Sequence, residues 1–339
     1  MMGNLMVGVN YEAINKISIY VERAVLKIEP DPFTDENYYP PVSSPKRDVA
    51  AYFLVMVAMD HRLSRPNRPY EGFVEGRFYH GADLLYKLGS LKFIEDPGFF
   101  YPDRLSKITR DDLRSWLSLE YRGKRIEPPD VHIRVELLRD LGRKLLTLYN
   151  GDPFELIIRS KGFLRRDVSE GFIDALKVFK AYQDPVEKKA FLLAKFLERR
   201  GVLPIHDPHN KEVPVDNHLT RIALRLGIVS VDDETRERIA GQVNLSADED
   251  VMLRWIVRLA YKELSRASGV DPFILDDFLW LFGRRCCTRD MPTCRSRCRD
   301  NCRVMNGCNG GCVFQRVCRA ALDPLYMVPE HRFLNTWWY

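Results

Sequence analysis

At 339 residues, 45% hydrophobic and 29% charged, the chain has the composition of a soluble globular protein, with material for two lobes or one large helical domain. No apolar run reaches the length of a membrane span. The N-terminus shows no basic stretch leading into an apolar one, so a cytoplasmic protein with no membrane partner is expected. The formal net charge of +5 is mild, but it is unevenly spread.

Residues 11–28 have helical spacing in INKISIYVERAVLKI and break at Pro30, Asp31, Pro32, Phe33, which opens an irregular connection to residue 46. The run VAAYFLVMVAMDHRL (49–63) predicts a buried helix, and Asp60, His61 and Arg62 at its end can line a pocket or simply solvate the terminus. YHGADLLYKLG predicts a short helix closed by Gly89, and Thr109 is an N-cap candidate for RDDLRSWLSLEY. VHIRVELLRDLGRKLLTLY is amphipathic, and DPFELIIRS and DVSEGFIDALKVFKAY continue the helical pattern. After Glu187–Arg200, the loop 203–214 carries His206 and His209, expected in solvent. HLTRIALRLG, DETRERIAGQV, ADEDVMLRWIVRLAYKELSRAS and DPFILDDFLWLFGRR complete an all-α reading with weak strand signals throughout. The aromatic tail Trp337, Trp338, Tyr339 is expected to dock on the body.

All eight cysteines lie between Cys286 and Cys318. A disulfide framework would be spread through the fold, so the clustering points to a local centre, with iron–sulfur, structural zinc and a disulfide knot as alternatives. Six residues separate Cys287 from Cys294, and five separate Cys312 from Cys318. Nine arginines stand between Arg284 and Arg319 against Asp290 and Asp300. Arg295, Arg297 and Arg299 are therefore candidates for phosphate contact.

This pattern resembles the [4Fe–4S] loop of the endonuclease III branch of helix-hairpin-helix DNA glycosylases, Cys-x6-Cys-x2-Cys-x5-Cys after an HGR-like tripeptide, here Phe282, Gly283, Arg284. The outer spacings match. The middle departs, with 17 residues from Arg295 to Gly311 where the family has two, and Cys298 and Cys308 rival the third ligand position. The resemblance implies a [4Fe–4S] cluster on Cys287, Cys294, Cys312 and Cys318, with the remaining thiols free or, in a thermophile, in disulfides. Val215, Asp216, Asn217 and His218 resemble the family's VDTH-type segment, with Arg221 following. The resemblance implies Asp216 as the catalytic carboxylate, with His218 of the same segment near the substrate; Asp60, at the end of the buried helix, is a separate candidate for substrate contact. A carboxylate suits N-glycosidic cleavage because the sugar becomes oxocarbenium-like, although an aspartate there is also a good helix cap. Pro185, Val186, Glu187, Lys188 and Lys189 stand where the family has its LPGVGRKTA hairpin. Both glycines are replaced, and Lys189 is the candidate lyase nucleophile.

The middle of the chain, roughly residues 48–200, resembles queuosine salvage N-glycosylases more loosely, by element order. The expectation is therefore a two-lobed, all-α helix-hairpin-helix glycosylase, organised as an N-terminal helix and connection (1–46), a helical domain (47–285), a cysteine-rich loop (286–318) and an aromatic tail (319–339). It would act as a monomer on a damaged or modified base in DNA. The alternatives are a modified nucleoside or nucleotide as substrate, or nucleic-acid binding without catalysis.

Overall fold

Strand β1 (Val7–Val9) and helix α1 (Tyr11–Val25) join residues more than two hundred positions away. β1 pairs antiparallel with Val229–Val231, Val7 facing Val231, while α1 lays Ile14, Ile17 and Val21 in the core. The computed structural model describes residues 5–25, 28–63, 68–296 and 311–339, and among these helix predominates. They fall into two compact units. One joins the residues up to Pro30 with Lys211–Thr336; the other is Asp31–Asn210 with Trp337–Tyr339. The N-terminal helix, set apart with residues 1–46 in the sequence, thus groups with Lys211–Thr336.

The unit of residues 31–210 is built on α2 (Lys46–Met59), whose residues 49–59 are all buried. A helix apolar on every side has to be wrapped, and α3 (Ala82–Glu95), α6 (Val131–Leu148) and α9 (Lys188–Arg199) pack against it. Gly89 does not close α3, which runs on to Glu95. A Cβ at that position would stand 2.5 Å from Met56 Cε of α2, so the glycine marks a close helix crossing rather than a stop.

Between α2 and α6 the chain departs from the all-helical expectation. Strands β2 (Glu71–Val74) and β3 (Arg77–His80) form one hairpin. After the short α4 (Pro102–Leu105) and α5 (Arg110–Leu117), β4 (Leu119–Tyr121) and β5 (Lys124–Ile126) form another. α5 starts at Thr109 as expected, with a reciprocal capping box to Asp112. It stops short of Tyr121 because Arg122 and Gly123, both at positive φ, turn the chain back; Glu75 and Gly76 do the same in the first hairpin. Two short helices, α7 (Glu155–Ser160) and α8 (Phe172–Leu176), lead to α9. The tail docks here as expected, Trp337 Nε1 donating to the Lys180 carbonyl at 3.1 Å.

In the other unit, α10 (Asn217–Leu226) packs on the long α12 (Ala247–Ser268) and on α13 (Pro272–Arg285). β6 (Val229–Val231) and α11 (Asp233–Ala240) connect α10 to α12, and α14 (Arg319–Leu322) follows the cysteine segment. α13 runs to Arg285, directly ahead of the first cysteine, as its apolar pattern predicts.

Candidate active site and cysteine centre

Asp216 is the N-cap of α10. Its Oδ1 accepts the Leu219 amide at 2.9 Å, and among the described residues Oδ2 takes no hydrogen bond. The residue is half-buried, with one carboxylate oxygen fixed by the helix. Tyr261 lies near: its hydroxyl donates to the Leu219 carbonyl at 2.7 Å. Burial first, then the Asp216 charge, pushes its ionisation well above the usual tyrosine range.

The segment leading to Asp216 is held from one side by α12. Asp250, Arg254, Arg258 and Lys262 recur every four residues, one face of a helix, and all four point at residues 211–215 or their supports. Lys262 bonds the Lys211 carbonyl and Glu212, Arg258 pairs with Glu212 at 3.3 Å, and Arg254 reaches the Val215 carbonyl at 3.4 Å. Arg254 is fully buried and paired with the equally buried Asp250 at 3.0 Å, whose other oxygen meets His331 Nε2 at 2.8 Å. Buried charges survive only when paired and hydrogen-bonded, and this row meets that condition. The sequence reading passed over it. Its signal was four charges at helical spacing amid apolar residues.

His218 is placed between Glu330, Arg221 and α13. Its Nδ1 lies 3.6 Å from Glu330 and 3.4 Å from Arg221, while Nε2 packs over Gly283 of α13. These contacts tie the start of α10 to Glu330 and to α13. Burial alone would raise the Glu330 carboxyl, but the His218 hydrogen bond and the Arg221 guanidinium outweigh it and hold the group below the usual range.

Arg221 and Arg225, one turn apart on α10, fasten the start of the cysteine segment. Arg221 donates to the carbonyls of Gly283 and Cys287, and Arg225 to those of Thr288, Arg289 and Val328. Arg225 also lies 3.6 Å from Cys287 Sγ.

Cys287, Cys294, Cys312 and Cys318 line one hollow, with Cys286, Leu226, Phe282 and Pro292 around them. The two arms of the motif therefore converge despite the residues inserted between them. Burial, and then the neighbouring sulfurs, raises the Cys294 and Cys312 thiols, and Cys318 is pushed up to about 12. Backbone amides of Phe314, Ala320 and Ala321 donate to the sulfurs of Cys312 and Cys318 and partly offset this. Among the described residues no three Cys, His, Asp or Glu side chains converge as they would round a single ion. Four cysteine sulfurs lining one apolar hollow, two of them accepting backbone amides, are a donor set that could hold a multi-iron cluster. Arg295 is exposed, reaching only the Pro324 carbonyl at 3.4 Å. Arg297, Arg299, Cys298, Cys302 and Cys308 lie outside the described residues.

In the unit of residues 31–210, Lys189 is fully buried. Its Nζ donates to the Ala58 carbonyl at 2.6 Å and meets His61 Nδ1 at 3.3 Å, closing the C-terminal end of α2. Burial, then the Lys188 charge, drives the amine well below the usual lysine range. The same burial, with Arg134 and Lys189, does so for His61. Lys189, the candidate nucleophile, is thus a partnered interior amine. Asp60 ends α2 and lies 3.8 Å from Lys188.

The turn before α9 answers the question raised by the missing glycines. Glu187 adopts φ +62°, a left-handed backbone that glycine would take without strain, and is held there by Arg165 and Lys177. The Asp184 carboxylate accepts the amides of Val186 (3.1 Å) and Lys188 (3.0 Å). Amides free in a nest would bind phosphate; here a side chain of the protein already fills that place.

No family model matches the chain, and no curated protein aligns with it significantly.

Proposed function

We propose that the chain is an N-glycosylase of the helix-hairpin-helix kind, hydrolysing the bond between a damaged or modified base and its sugar in DNA, as a monomer. The observation that carries the reading is the Asp216 carboxylate, anchored through Oδ1 and with Oδ2 open. As the base departs with the bonding electrons, positive charge grows on the sugar. A fixed carboxylate stabilises that charge and orients the water that adds to the sugar carbon. The α12 row keeps Asp216 from moving as the charge develops. Hydrolysis is proposed without a lyase step, because Lys189 is enclosed and bonded.

Cys287, Cys294, Cys312 and Cys318 would hold a [4Fe–4S] cluster. Bound there, it supplies thiolate–iron bonds that tie the two cysteine arms together. Arg221 and Arg225 couple that segment to the helix bearing Asp216.

A second reading keeps the reaction and changes the substrate to a modified nucleoside or nucleotide. It is favoured by Asp184, whose carboxylate fills the nest that would otherwise grip a duplex phosphate. Asp216→Asn tests the chemistry. Asparagine caps about as well as aspartate but lacks the charge, so base release should fall on the order of a hundredfold to a thousandfold with binding and melting temperature retained. Undiminished release by the folded variant would reject the reading. Release from duplex DNA against release from free nucleosides separates the two substrates.

A further inference from the structure

The two β-hairpins, unused by the reading above, carry a surface of their own. β2 packs beside β4, and the contact is close enough that a Cβ on Gly72 would collide with the Leu119 side chain. On the outward side Phe73 and Phe78, cross-strand partners, are 55% and 44% exposed. With Tyr121 of the second hairpin they form a triangle, ring centres 5.4, 6.0 and 5.9 Å apart. A cross-strand aromatic pair stabilises a hairpin, but that role does not require a third ring from a neighbouring hairpin on the solvent side.

The surrounding charge is positive. Arg77, Arg122, Lys124 and Arg125 are exposed, and among the described residues none makes an ion pair. The acids nearby are mostly engaged: Glu75 pairs with Lys87 at 2.7 Å, and Glu71 lies 4.0 Å from His80. Glu120 lies opposite Arg125 in the register. The three rings are inclined to one another by 49–63°, so they form a faceted cluster rather than one plane, and the Arg122 guanidinium lies 5.0 Å from the Tyr121 ring centre. Both turns have two central residues at positive φ, which fixes the strands and the rings they carry.

We propose that this double hairpin is a stacking platform for unpaired bases of a nucleic acid strand, whose phosphates are met by Arg77, Arg122, Lys124 and Arg125. A protein partner would be matched by the rings and a duplex by the cations. Rings and unpaired cations together fit a polyanion with accessible aromatic faces. The inference stands apart from the N-glycosylase reading, since it concerns binding and involves neither Asp216 nor the cysteines.

The test is fluorescence anisotropy with the full chain and labelled twenty-nucleotide strands of DNA and of RNA, each unpaired and as a duplex. Phe73→Ser with Phe78→Ser should weaken unpaired-strand binding about tenfold or more and leave duplex binding nearly unchanged, because only unpaired bases can stack. Arg77→Gln, Arg122→Gln and Lys124→Gln together should reduce the salt slope on the unpaired strand by about two units. The DNA and RNA arms identify the strand chemistry. Melting temperature is measured for both variants; if the double serine variant unfolds, Tyr121→Ser and the glutamine variant, whose changes lie in solvent or at a half-exposed ring, carry the test. Equal losses on paired and unpaired strands, or no loss on either, would overturn the proposal; the second result would assign the rings to a protein contact.

Discussion

The imidazole of His218 occupies the space that a side chain at position 283 would need: a Cβ on Gly283 would fall well inside contact distance of Nε2. The tripeptide at the end of α13 and the tetrapeptide at the start of α10 therefore fit together at this point. Gly283→Ala should force one helix away from the other, at about 1–3 kcal/mol. Urea unfolding measures this, and an alanine variant as stable as the parent would show that the glycine is incidental.

Iron should be found in protein purified without oxygen, with broad visible absorbance from thiolate-to-iron charge transfer. Cys287→Ser and Cys318→Ser should each abolish it, whereas Cys286→Ser should retain most of it. Metal analysis giving one zinc and no iron would eliminate the cluster. Iron lost on replacing Cys286 but kept on replacing Cys287 would move the ligand set by one residue.

His61 makes a prediction about pH. Burial, Arg134 and Lys189 disfavour the imidazolium, so the folded group titrates well below 6.5. The unfolded chain takes up a proton near 6.5 that the folded chain refuses. The contribution to stability is complete above that pH and declines as pH falls toward the folded value, at up to about 1.4 kcal/mol per unit. His61→Asn should therefore lose less stability between pH 7.5 and 5.5 than the parent, by roughly 1 kcal/mol. Parallel unfolding curves at the two pH values for both proteins would contradict the assignment.

Arg254 tests the support of Asp216. Truncation to alanine takes the guanidinium from the buried Asp250, leaving it His331; breaking a buried pair typically costs about 3–5 kcal/mol. It also removes the bond to the Val215 carbonyl. Arg254→Ala is expected to melt at a lower temperature and, below that melt, to release base more slowly with little change in substrate affinity. A loss confined to stability would limit the row on α12 to a structural role.

Some of this was readable in the chain. The apolar run of α2 predicts a wrapped helix, Thr109 and Asp216 read as caps, and the outer cysteine spacings anticipate arms that meet at one hollow. The hairpins were not readable because strands of three or four residues are too short to display a period of two, and their positive-φ turns include Glu75 and Arg122, which advertise no turn. Gly89 was misread because a glycine that permits a helix crossing and one that ends a helix look alike in sequence. The row Asp250, Arg254, Arg258 and Lys262 was not singled out, since helical spacing gives the face and not what lies across from it. The partition of the chain depends on β1 finding β6, a pairing with no local trace.

That pairing sets an order of events during synthesis. Residues 31–210 are contiguous and can collapse as soon as they leave the ribosome. Val7–Val9 emerge earlier and have no partner strand until Val231 has been added. At 5–20 residues per second the interval is roughly ten to forty seconds, during which an amphipathic helix and a strand edge wait in the open. A nascent chain stalled once residue 210 has cleared the ribosome and before Val229 has done so should therefore carry a folded interior segment behind an N-terminal segment still open to protease, which is where a chaperone acting on this chain would find its target.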